Sequence, residues 1–261
     1  MSLHKEIHLE QEICEHLGAH GWVYEEGVSA QYDRVRALFA EDVIAWVQES
    51  QPEAWQALVK GHGLDAEKRL LERLRAQMDA RGTLDVLRNG VEMHPVQGKI
   101  ALAQFRPASN INAAITARYV ANRLRVVRQV RYSEANENCL DVALFLNGLP
   151  VATVELKSDF TQSVQDAVDQ YRFDRHPQPR GQAAEPLLSF PGGALVHLAI
   201  SNSEAQMTTR LAGPATRFLP FNKGDNGAAG NPQRRDLRLI HAQQARRLRL
   251  RQLASRQNRV Q

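Results

Sequence analysis

The apolar residues of this chain change their spacing part-way along it. Residues 5–18 carry Ile7, Leu9, Ile13, Cys14 and Leu17 at helical intervals, which predicts an amphipathic first helix closed by Gly18 and Gly21 before Trp22. A second helix is expected over 30–48, from Val35, Leu38, Phe39, Val43, Ile44 and Trp46, broken before Pro52. A third is expected over 64–80, where Leu64, Leu70, Leu71, Leu74 and Met78 share a stripe. Trp46, within the second of these patterns, and Trp55, between the second and the third, read as core anchors. Beyond residue 120 the spacing becomes that of strands. LRVVRQVRY at 124–132 precedes two apolar runs, 140–146 and 151–157, joined by Asn147-Gly148-Leu149-Pro150. Asn-Gly between two such runs is a strong hairpin signal. A helix over 162–173, a loop rich in Pro and Gly at 176–193, and a strand at 194–202 follow, with MTTRLAG at 207–213 as a further strand or its exit. Helices, three strands, a helix and a strand specify an α/β fold, with a small mixed sheet flanked by helices and extra helices on its N-terminal side.

Composition narrows the class of protein. The chain has 261 residues, the length of one sizeable domain or of a domain plus an appendage, and its hydrophobic fraction of 43% is enough for a real core. No apolar run reaches membrane-spanning length, and the polar start is not a signal peptide. Cys14 and Cys139 are too few and too far apart for a disulfide framework, which leads us to expect a reduced, cytoplasmic protein. The net charge of +4 is unevenly spread. Residues 233–261 hold nine arginines and one aspartate, leaving 24 basic against 28 acidic side chains in the rest. The basic character therefore belongs to the tail, which suits either DNA phosphates or a solvated helix. Arg125, Arg128 and Arg131 on the strand at 124–132 present the same choice between phosphate and water.

The hairpin carries the candidate chemistry. Glu155 and Lys157 are two apart on one strand and leave the same face. Counting back through the turn sets Asp141 within one residue of lying opposite Glu155. Two carboxylates and a strand carbonyl, that of Leu156, are hard oxygen ligands of the kind magnesium prefers. Such a metal lowers the pKa of a bound water and neutralises charge building on a phosphodiester, while Lys157 is suited to place that water or stabilise the transition state. The bland alternative is a surface hairpin with solvated charges. The flanking Val151, Ala152, Val154 and Leu156 argue against it, because they make the second strand apolar on both faces.

LDVALFLNGLPVATVELK, followed by AVDQYRFDR, resembles the N-terminal nuclease domain of type I restriction enzyme R subunits, within the PD-(D/E)xK superfamily. The likeness begins at HLEQEICEHLGAHGWVYEEG and continues through residues 197–232, so that it covers roughly 1–232. It implies a restriction-endonuclease-like core, with Asp141 and Glu155 as metal ligands and Lys157 as the catalytic lysine. It also implies a glutamate from the first helix, with Glu10 preferred and Glu6 the alternative one turn earlier. A glutamine and a tyrosine on the helix after the lysine belong to the same pattern. Here Gln170 and Tyr171 are adjacent instead of three residues apart, so Gln170 is expected to reach the site and Tyr171 to point about 100° away, into the core. The implied cofactor is Mg²⁺, and the implied partners are double-stranded DNA and the methyltransferase and specificity subunits of a restriction complex.

The segment 233–261 departs from the family pattern. It has no aromatic residue where an aromatic-rich stretch and a nucleotide-binding motor would follow, and no G-x-x-x-x-G-K-[ST] occurs anywhere. This leads us to expect a nuclease domain over 1–232 and a truncated or frameshifted Arg-rich tail over 233–261, with the family's ATP site absent from this chain. Two rival readings stand beside it: a non-catalytic assembly module, and a stand-alone structure-specific or repair nuclease.

Overall fold

The structure is a computed structural model and describes residues 2–109, 111–158 and 162–221, with the backbone alone for residues 2–6. The Arg-rich tail and the side chain of Glu6 lie outside the described residues. The chain runs α1 (Ser2–Gly18), β1 (Val23–Tyr24), α2 (Ala40–Ser50), α3 (Pro52–His62), α4 (Ala66–Arg81), α5 (Thr83–Asn89), β2 (Val91–Glu92) and β3 (Lys99–Ile100). It continues with α6 (Ala113–Val120), β4 (Leu124–Arg131), β5 (Cys139–Leu146), β6 (Leu149–Leu156), α7 (Val164–Phe173), β7 (Val196–Ile200), β8 (Ala205–Thr208) and β9 (Leu219–Pro220). Seven strands form one mixed sheet in the order β1-β4-β5-β6-β7-β8-β9. The β1–β4 and β6–β7 pairs are parallel and the others antiparallel. This is the α/β architecture expected for a restriction-endonuclease-like core, and no helix among the described residues is long and apolar enough to cross a membrane.

Each face of the sheet is covered by a different helix. Leu9, Ile13 and Leu17 of α1 pack on Val142, Val154, Leu156 and Ile200. Val164, Ala167, Val168 and Tyr171 of α7 pack with Ala143, Phe145 and Ala199 on the other side. A third cluster, built from α2, α4 and α5, closes over Leu149 at the turn end of the hairpin. Trp46 anchors it, with its Nε1 donating to the carbonyl of Ala101 at 2.8 Å, and Trp55 packs at its margin.

Several boundaries differ from the sequence expectation, each for a local reason. The helix expected over 30–48 starts only at Ala40. Before it, the Asp33 carboxylate accepts the Arg36 N–H at 2.9 Å, and Asp33 and Leu38 bridge, so a turn replaces the first helical turns. Val35 then faces solvent. Leu64 falls in a 3-10 turn, Gly63–Asp65, and is fully exposed, so the third helix starts after it. Pro52 begins α3 at a first-turn position, where its missing N–H leaves nothing unsatisfied. Arg125 is buried and Arg128 part-buried, and each is paired with a carboxylate of a neighbouring helix. Arg125 donates from Nε and Nη2 to Asp42 at 2.6 and 2.9 Å, and Arg128 donates to Glu10.

The hairpin is tighter than expected. Asn147 and Gly148 both have positive φ, 49° and 82°, the signature of a two-residue turn whose twist matches its strands. The strand pairing shifts by one residue beside Leu144 and Phe145, which absorbs the extra residue, Val151. The Phe39 N–H donates to the Gly148 carbonyl at 2.9 Å, tying the turn to the start of α2. A Cβ on Gly148 would lie 2.4 Å from the Phe39 oxygen, with φ already left-handed. Gly148→Ala is expected to destabilise the fold by about 2–3 kcal/mol. Urea titration would show it as a lower midpoint at unchanged slope.

Candidate active site

The site grows out of the most enclosed strand of the sheet. β6 lies between β5 and β7, and Glu155 on it is 0% exposed. The pairing of Val142 with Val154, continued by one residue, sets Asp141 opposite Glu155. The Leu156 N–H donates to Asp141 Oδ2 at 2.7 Å. In an extended strand the carbonyl of the same residue leaves toward the same neighbour, so the Leu156 oxygen faces the Asp141 side. Lys157 follows directly, half-buried, and acts electrostatically on both Glu155 and Asp166.

Asp141 sits where the alternation of the sheet slips. Val126 and Val142 face α1, whereas Val130 and Leu140 pack with α7, although strict alternation would turn them the other way. Gln129, across from Asp141, carries a left-handed φ of 50°. Between them the two strands change face, a local irregularity of the kind common beside active sites. Glu10 reaches this kink from α1. It is buried, and its carboxylate accepts from Arg128 Nε at 2.7 Å and Gln129 Nε2 at 2.9 Å. Burial raises the pKa of Glu10, with Arg128 and Gln129 opposing and the Asp141 charge adding a smaller push. Glu10 is thus within electrostatic reach of Asp141, with each of its oxygens already holding a partner.

Glu155 is held differently. Its Oε1 accepts from Arg175 Nε at 2.6 Å, and Arg175 Nη2 also donates to the Cys139 carbonyl at 2.7 Å. Its Oε2 is buried and has no hydrogen-bond partner among the described residues. Burial first, and the Asp141 charge second, push the Glu155 carboxyl up to about 8, against the pull of Arg175 and Lys157. A buried carboxylate oxygen left without a donor is expensive. One further cation would relieve it.

The helix α7 divides its two expected residues. Tyr171 is in the core, its hydroxyl sharing a hydrogen bond with Thr153 Oγ1 at 2.8 Å. Thr153 also bonds His197 Nδ1 at 2.7 Å, and burial lowers the pKa of that histidine to about 3, which keeps it neutral. Gln170 has a buried amide oxygen without a partner among the described residues, and its backbone carbonyl accepts the Arg175 N–H at 3.1 Å. Arg175 and Gln129 escaped the sequence reading, and Arg128, read there as facing phosphate or water, instead holds Glu10. Arg175 lies 20 residues beyond Glu155 in a polar run whose periodicity singles out no member.

The donor set suits a hard divalent cation only in part as a prepared cage. No group of three or more His, Cys, Asp or Glu side chains gathers as a metal site among the described residues. What is present is the Asp141 carboxylate, the orphaned Glu155 Oε2 and the Leu156 carbonyl. Magnesium commonly takes one or two carboxylates and completes its shell with water, so these residues fit it.

The sequence model of the type I restriction enzyme R protein N terminus matches residues 4–216. The chain belongs to this family. The match spans α1 through the segment after β8 and takes in every candidate residue above. A comparison with curated proteins finds no match. For this R-protein domain the buried Glu155 has a measurable consequence. Its carboxyl is raised from an ordinary 4.5 to about 8, so the native state holds a proton that the unfolded chain releases. Metal-free stability from this group is complete below the unfolded value and lost as pH rises through about 8. Glu155→Gln is expected to flatten the fall in stability between those limits, by up to about 1.4 kcal/mol per pH unit. Denaturant titrations across that range in chelator would read it.

Proposed function

We propose that this domain cleaves DNA: it hydrolyses phosphodiester bonds of double-stranded DNA with Mg²⁺, as the nuclease part of a type I restriction–modification complex. The observation that carries the reading is the buried Glu155, facing Asp141 across the hairpin with one oxygen held by Arg175 and the other open. Asp141, Glu155 Oε2 and the Leu156 carbonyl are the groups that would hold the ion. When bound, it would acidify a water and offset negative charge on the phosphate.

The chain's own residues supply the rest. Asp141 accepts the Leu156 N–H, which keeps its carboxylate turned toward β6. Lys157, beside Glu155, donates to the attacking water or to a phosphate oxygen as charge accumulates. Gln170 offers an amide with an unsatisfied oxygen, suited to accept a hydrogen bond from that water and so orient it. Glu10 steadies the kink at Gln129 through its two hydrogen bonds and so supports Asp141 from the α1 side. The partners in this reading are DNA and the methyltransferase and specificity subunits. Residues 1–261 contain no phosphate-binding loop of the G-x-x-x-x-G-K-[ST] type, so no ATP-driven step is assigned to them. We place the protein in the cytoplasm, in keeping with two free cysteines, Cys14 buried and Cys139 half-buried.

Nicking of supercoiled plasmid tests the proposal. The wild-type chain is expected to nick with Mg²⁺ and to stop in chelator. Lys157→Ala should lose about 10²–10³-fold in rate while its denaturation midpoint stays within about 0.5 kcal/mol of wild type. Equal nicking by the two proteins would remove Lys157 from the site.

A further inference from the structure

Arg175 is placed where a purely stabilising arginine has little reason to be. It follows α7, is 7% exposed, and its guanidinium lies 5.8 Å from the centre of the Tyr132 ring. Its own backbone N–H is fixed on the Gln170 carbonyl at 3.1 Å. From there the guanidinium bonds the two strands that carry the acidic pair. Nε donates to Glu155 Oε1 on β6, and Nη2 donates to the Cys139 carbonyl on β5, two residues from Asp141. Buried ion pairs seldom beat a well-packed apolar pair in stability, because desolvation consumes most of the Coulombic gain. Most buried polar atoms are satisfied, yet here Glu155 Oε2 has no hydrogen-bond partner among the described residues. The guanidinium thus takes one carboxylate oxygen and leaves the other available.

We propose that Arg175 is the positioning residue of the site, a brace across the open end of the hairpin that fixes the Glu155 carboxylate on Oε1 so that Oε2 and Asp141 face one divalent cation. The inference rests on the metal-dependent reading above and extends it to a residue that touches neither cation nor DNA. Partners of this kind orient metal ligands, and their loss typically weakens metal binding about 10–100-fold.

Mn²⁺ binding to the full chain, followed by the paramagnetic resonance of the free ion, tests it without turnover. Arg175→Ala is expected to weaken Mn²⁺ binding about 10–100-fold. Arg175→Lys keeps the charge and much of the length, and so the fold, but lacks the planar fork. It should also bind several-fold more weakly than wild type. A merely structural role would lower the denaturation midpoint and leave the Mn²⁺ affinity of the folded protein unchanged. Relief of charge repulsion alone would tighten it. Either result in a folded variant overturns the proposal. Glu155→Ala separates this failure from that of the metal reading. If wild type and Glu155→Ala bind Mn²⁺ alike, the metal site itself is wrong, and the role of Arg175 falls with it.

Discussion

A carboxylate with no solvent exposure at the middle of a sheet is the constraint around which this molecule is arranged. Taking Glu155 out of water costs several kcal/mol even after local relaxation. The surrounding chain offsets that cost incompletely. One guanidinium supplies a short hydrogen bond at 2.6 Å, a lysine two residues on adds attraction, and Asp141 opposes both with a like charge. Partial compensation suits a site that is completed by a ligand. The same burial demands the scaffold seen around it: neighbours on both sides of β6, α7 over one face, α1 over the other, and a helical cluster over the turn.

The geometry of Asp141 has a second origin, in the slip opposite Gln129. In a regular ladder Asp141 would answer only to the α7 face. The left-handed φ at Gln129 breaks the alternation and brings the strand edge within reach of Glu10 on α1. The two faces of the sheet, otherwise separated by a layer of Val and Leu, communicate at that point. Glu10 thereby ties α1 to the kink through Arg128 and Gln129.

The sequence made the hairpin and its acidic pair legible, because both depend on short-range rules. Asn147-Gly148 dictates a turn, and a period of two sets Glu155 with Lys157 and Asp141 nearly opposite. The amphipathic α1 followed from helical spacing in the same way, and the core position of Tyr171 from the 100° step once the family resemblance had assigned Gln170 to the site. The start of α2 was hidden because one side-chain hydrogen bond, from Asp33 to the Arg36 N–H, outweighs the apolar spacing there. Leu64 matched the stripe but lies before the helix that carries it. The short α6 has no buried residue, so it leaves no apolar signature of burial to read. Arg175 and Gln129 were illegible for a different reason. Their importance comes from contacts across 20 and 119 residues of chain, and no local pattern encodes such distances.

The measurement that tests the account most directly is anomalous diffraction from crystals of the metal-free protein soaked in Mn²⁺. The account predicts one strong peak at about 2 Å from an Asp141 carboxylate oxygen, Glu155 Oε2 and the Leu156 carbonyl, with Arg175 still on Glu155 Oε1. A peak elsewhere, or an ordered Glu155 with no ion beside it, would contradict the claim that the buried carboxylate is half of a metal site.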